Sequence, residues 1–144
     1  MIFNRSAPHA RVTPVLTVAD VRAAVHWYAD AFGFVEHVKI GESHRSQLGL
    51  PGGGELIVGE VRPGRRTPTP NDRSHQNMLK VEDAAAVTKR ALELGAKLDD
   101  DLQDYPYGER QAAITDPFGH QWVITQTLVD TAPESFGCEL VTPR

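Results

Sequence analysis

The chain has 144 residues, 40% of them hydrophobic and 24% charged, which suits one globular domain or two small fused modules. A net charge of −4 and a pI near 5.8 argue against nucleic acid or an anionic membrane as the main partner. The single cysteine, Cys138, rules out an intrachain disulfide, and no apolar run reaches the ~18 residues a membrane helix needs. Met1 to Pro14 has no apolar core of a secretory signal, so a cytoplasmic location is the expectation.

Residues 1–11 read as a loose N-terminal arm, and Val12 to Val18 as a strand. Asp20 is placed to cap a helix whose apolar positions are Val21, Ala24, Val25, Tyr28 and Phe32, with Gly33 as its stop. Strands are expected over Phe34 to Ile40, His44 to Leu50 and Glu55 to Val61, with a glycine-rich turn at 51–54. Residues 12–62 therefore form one β-α-β-β-β module. Residues 63–73 break the pattern with three prolines and Gly64. Their arginines, Arg65 and Arg66 beside Arg62 and Arg73, offer an anion patch, although a solvated linker is the simpler reading.

The pattern then returns over 74–128. His75 to Val81 is a strand. Asp83 opens a helix with apolar Ala84, Val87, Ala91 and Leu94, closed by Gly95, and Lys97 to Leu102 is a short strand. The acidic run Asp99–Asp101 reads as a solvated turn. Arg110 to Thr115 and Gln121 to Thr127 form a hairpin around Asp116-Pro117-Phe118-Gly119, where Pro117 presets φ and Gly119 supplies a positive φ. Leu16-Thr17-Val18-Ala19-Asp20 matches Leu79-Lys80-Val81-Glu82-Asp83, so the chain is a duplication. Residues 129–144 are a polar tail. The fold class is α+β: two β-α-β-β-β modules with curved mixed sheets around a cleft.

The duplication, the L-x-V-x-D junction, "AVHWYADAFGF" and "DPFGHQW" together resemble the vicinal oxygen chelate superfamily, over roughly residues 12–128. That superfamily includes glyoxalase I, bleomycin-resistance proteins, fosfomycin-resistance enzymes and extradiol dioxygenases. The resemblance implies a cup-shaped sheet in each module. In metal-dependent members it implies one ligand on each first strand and a glutamate on the last. Those positions fall here at Thr13, Gln76 and Val123, with Ile57 the counterpart in the first module. Neutral or apolar side chains hold a divalent ion weakly, so no tightly bound metal is expected. A register slip would offer His75 beside Gln76 as the ligand, but would turn it to the other face of the strand.

With Val123 facing the cleft, Gln121, Thr125 and Thr127 share its face, while Trp122, Ile124 and Gln126 lie opposite. The expected ligand-contacting set is Gln76, Tyr105, Tyr107, Arg110, Gln121, Val123 and Thr125, with Gln47 in the first module. Tyr105 and Tyr107 are candidates for stacking on a planar ligand, or for simply covering the sheet end. His120 suits a structural hydrogen bond in its turn. No nucleophile with a general base at readable spacing is present.

The expected function is a binding protein for a small, partly aromatic molecule, without a tightly held metal or other cofactor. One alternative is a glyoxalase-like lyase, isomerase or dioxygenase with a shifted metal site; another is a structural dimer with no tight ligand. The expected partners are that small molecule and a second copy of the chain, but neither nucleic acid nor membrane.

Overall fold

The computed structural model describes residues 1–143. The chain divides into two units, Met1–Ser74 with Pro117–His120, and His75–Asp116 with Gln121–Arg144. The division departs from a simple two-module reading at one point. The turn Pro117–His120, which lies within the second module in sequence, belongs to the first unit.

In the first unit, β1 (Val15–Val18) leads through Asp20 into α1 (Val21–Phe32). Asp20 is extended at φ −136°, and its side chain accepts from the Ala23 amide; Gly33 ends the helix at φ 80°. The positive φ is why glycine serves there as the stop. Strands β2 (Val35–Ile40), β3 (Arg45–Gly49) and β4 (Glu55–Glu60) complete a sheet of order β1-β4-β3-β2. β1 pairs parallel to β4, and the other pairs are antiparallel.

Alternation sorts this sheet into two faces. Leu16, Val18, Leu48, Leu56 and Val58 are buried together with the apolar stripe of α1, namely Val21, Ala24, Val25, Tyr28 and Ala31. Phe118 joins this core, with its ring centroid 5.9 Å from that of Tyr28 and 6.4 Å from that of Trp27. One polar cluster interrupts it. Ser46 Oγ donates to Glu36 Oε1 at 2.6 Å, and Arg22 Nη2 donates to the same oxygen at 2.6 Å. Burial pushes the Glu36 carboxyl up, but the Arg22 guanidinium and the Ser46 hydroxyl outweigh it and hold the group below the usual carboxylate range.

The second unit repeats the plan with β5 (Asn77–Lys80), α2 (Ala84–Glu93), β6 (Lys97–Asp104), β7 (Glu109–Thr115) and β8 (Gln121–Thr127), in sheet order β5-β8-β7-β6. Asp83 caps α2 by accepting from the Ala86 amide. Gln126 adds a second cap, its Oε1 accepting from the Ala84 amide at 3.0 Å. Leu79, Ala112, Ile114, Trp122 and Ile124 are buried on the helix side with Ala84, Thr88 and Ala91. Trp122 Nε1 donates to Asp116 Oδ2 at 2.9 Å, which fixes the hairpin end from inside.

One sequence expectation needs correcting here. Asp99–Asp101 is part of β6 and not a solvated turn. Register shifts on either side of Asp100 let consecutive carboxylates escape the core, and charges on such an edge strand discourage foreign pairing. Within the tail, Pro133–Phe136 forms a short 3-10 helix. The break between the modules carries two tight turns, with bridges at Arg62–Arg65 and Thr69–Asp72.

Candidate functional site

Each sheet leaves one face uncovered by its helix. In the first unit that face carries Val15, Thr17, Ile57 and Gly59, with Gln47 opposite Ile57 and Arg45 opposite Gly59. A bulge between Glu36 and Val38 sets Glu36 toward the helix side and leaves Val38 opposite Gln47. It also brings His37 over Gly49, where an added Cβ would lie 2.7 Å from His37 Nε2. The N-terminal arm closes over this end. Gln47 is buried, and its Nε2 donates to Ser6 O at 3.0 Å. The Ala10 amide donates to Glu55 Oε2. Arm and strands together enclose a cavity of about 270 Å³, lined by Arg5, Pro8 and His9 from the arm and by His37, Val38, Gln47 and Glu55 from the sheet. Its size is close to the lower end of ligand-sized clefts, about 300 Å³.

In the second unit the open face carries Gln121, Val123, Thr125 and Thr127 of β8, opposite Thr115, Ala113, Gln111 and Glu109 of β7. Met78 of β5 flanks Val123. Gln111 connects this face to the rim, since its Nε2 donates to Thr125 Oγ1 at 3.1 Å and its Oε1 accepts from the Tyr107 hydroxyl at 3.0 Å. Tyr107 in turn stacks on Tyr105 at 5.2 Å and 16°, and meets Phe136 of the tail at 5.9 Å. Burial, then Tyr105 and the Glu109 carboxylate, pushes the Tyr107 phenol above its usual value. Gln121 Nε2 and Thr115 Oγ1 both donate to Asp99 Oδ2, at 3.0 and 2.6 Å.

Tyr107, Gln121, Val123 and Thr125 thus stand on or beside one open face, with Tyr105 stacked at its edge. Gln47 stands on the open face of the other unit. Arg110 does not join them. It pairs with Gln126, sharing the parity of Ala112 and Ile114. It also grips Asp104 with two hydrogen bonds of 2.7 and 3.0 Å, which hold that carboxyl below its usual range. Gln76 is exposed and precedes β5. Gln111 was absent from the sequence candidates, although parity with Thr115 already placed it on this face. His9, His37 and Glu55 had no readable signal, because a bulge and a folded-back arm bring them together.

The donor set at the superfamily's metal positions does not fit a divalent ion. Thr13 lies ahead of β1 and contacts Ala10 O at 3.4 Å. Ile57 and Val123 are apolar, and among the described residues no group of three His, Cys, Asp or Glu side chains is placed to hold a metal. Among the described residues, no helix is long and apolar enough to cross a membrane.

The fold and these faces have clear relatives. At 30% identity, the chain matches an uncharacterized Mycobacterium bovis protein over 81% of its own length and 83% of that protein's. An uncharacterized Mycobacterium tuberculosis protein matches equally well over 74% of its length. Among solved structures, TioX from Micromonospora is 27% identical with a TM-score of 0.64, covering 85% of this chain and all of that one. Lactoylglutathione lyase from Agrobacterium tumefaciens shares the fold alone, at 19% identity and a TM-score of 0.60 over 83% of this chain and 94% of that one. The profile of the Glyoxalase/Bleomycin resistance protein/Dioxygenase superfamily matches residues 8–124, and the chain belongs to that superfamily.

Proposed function

We propose that the protein binds a small, partly aromatic molecule on an open sheet face, without a tightly held metal. The observation that carries this reading is the cavity of about 270 Å³ beside the Gln47–Ile57 pair. It offers the Gln47 amide where a ligand can be hydrogen-bonded, and the register partner of Gln47 on the same face is apolar Ile57, where a metal-binding member needs a carboxylate. The second unit supports it with Val123 in the equivalent place, next to the Gln111–Thr125 pair and the stacked phenols. Such faces recognise ligands by shape and a few placed hydrogen bonds.

The test has two arms. Elemental analysis of untreated protein should find transition metal well below one equivalent. Near-stoichiometric zinc, nickel, manganese or iron, lost on Gln76→Ala or His75→Ala, would overturn the reading and favour a metal-dependent enzyme. A panel of planar aromatic compounds, bleomycin included, should raise the melting midpoint. Gln47→Ala should weaken the best binder by about 1–3 kcal/mol.

The reading includes a homodimer. Val15 and Met78 occupy equivalent places on the edge strands β1 and β5, and are 48% and 65% exposed. Exposed apolar edges invite a symmetric partner. Sedimentation of only a 15.8 kDa species at micromolar concentration would rule it out.

A further inference from the structure

The turn Arg62-Pro63-Gly64-Arg65 is built to set two arginines side by side. Pro63 suits its second position, and Gly64, at φ 76°, its third. The flanking residues exchange both backbone hydrogen bonds, Arg62 N to Arg65 O at 3.1 Å and Arg65 N to Arg62 O at 2.8 Å. A third arginine, Arg45, comes from β3. It lies opposite Gly59, where a Cβ would stand 3.8 Å from Arg45 Cγ, so the arginine stem lies in ordinary contact distance over that residue.

These three side chains, with Thr17, His44 and Glu60, line a small pocket of about 20 Å³ at the Arg45 end of the first unit's open face. Its one carboxylate is already engaged, because His44 Nδ1 donates to Glu60 Oε1 at 2.8 Å. Among the described residues, Arg45, Arg62 and Arg65 form no ion pair, and Arg65 Nη1 donates only to the Gly64 carbonyl. Arg66, next in sequence, does pair with a carboxylate, that of Asp72. Three guanidinium groups around the single Glu60 carboxylate leave the pocket net positive, and an entering anion relieves the remaining repulsion with charge-assisted hydrogen bonds.

The geometry points to an oxyanion site, in which Arg45, Arg62 and Arg65 take the phosphate or carboxylate group of a small molecule. The enclosed space, about 20 Å³, is little more than a single water needs, so the anionic group would sit at the pocket's mouth with one oxygen inserted. The remainder of the molecule would run along the strands toward Gln47, about 7 Å further on. Only this last link rests on the reading of the cavity as a ligand site. The ligand of this face is then an acid.

The test is an NMR titration of the arginine Nε–H and backbone amide signals with sodium phosphate, against sodium chloride at matched ionic strength. Saturable shifts at Arg45, Arg62, Arg65 and Gly59 with phosphate but not chloride are expected. The double variant Arg62→Gln/Arg65→Gln should weaken phosphate by at least about fivefold. Arg11→Gln should not. Benzoate in place of phosphate separates a carboxylate ligand from a phosphoryl one. Silence with both anions, equal shifts with chloride, or wild-type affinity in the double variant would overturn the site. Saturable phosphate binding with no response to the aromatic panel would leave this site standing and remove the aromatic-ligand reading instead.

Discussion

His120 Nε2 lies 2.8 Å from the backbone oxygen of Thr17, across 103 residues of sequence. A carbonyl can only accept, so the proton sits on Nε2. The ring is buried at 5% exposure, and the hydrogen bond ties the Pro117–His120 turn to β1. His120→Ala should therefore cost about 1–3 kcal/mol in urea denaturation, since it also leaves a buried carbonyl unmet. His120→Gln, which keeps an N–H donor, should recover part of the loss. An alanine variant as stable as the wild type would show that the contact contributes nothing.

Glu36 should shape the acid limb of stability. Its folded pKa lies below the ordinary value, so the fold favours the ionised carboxylate. That contribution is complete above the usual carboxylate range and is lost as pH falls through the lowered value. Glu36→Gln should cost about 1 kcal/mol at neutral pH, a figure kept small by the 28% exposure of both ion-pair partners. The variant should also lose less stability than the wild type on acidification. Parallel pH profiles of denaturation midpoint would refute this.

Tyr107 should ionise above a free tyrosine, because burial and then its neighbours Tyr105 and Glu109 oppose the phenolate. Glu109→Gln removes one nearby negative charge and should move the midpoint back down. Carbon NMR of the labelled ring reads this directly, and an unmoved midpoint would count against the assigned cause.

Gly119→Ala should be severely destabilising. The residue has φ 93°, and an added Cβ would sit 2.5 Å from Pro68 O, a backbone atom with little freedom to yield. A loss of several kcal/mol is expected from strain and clash together. A variant with an unchanged melting midpoint would mean that the turn adjusts freely.

Much of the fold was legible because the two modules repeat one local device. Asp20 and Asp83 each follow an L-x-V-x strand, and each caps its helix through the amide three residues on. Strand parity likewise sorted β8 into Trp122 and Ile124 on the helix side against Val123 and Thr125 on the other face. What failed was whatever depends on a partner from elsewhere. Arg110 could be assigned a face but not Asp104, because β6 runs two residues beyond its expected end to reach it. The Arg22–Glu36–Ser46 cluster draws on three elements, and no periodicity announces a polar group inside an apolar face. The arm reads as loose from composition, yet Gln47 and Glu55 bind its backbone.

The first unit is assembled from two stretches of chain, with Pro117–His120 arriving long after Ser74. During synthesis, Trp27 and Tyr28 would leave the ribosome well before Phe118 exists to pack against them. Long-range contacts of this kind slow folding. The amino-terminal half would therefore complete its aromatic cluster only once the final hairpin is made. Although the chain is a duplication, its halves are no longer separable: cutting between Ser74 and His75 would leave one fragment without its last core ring and the other carrying a turn with nothing to fold into.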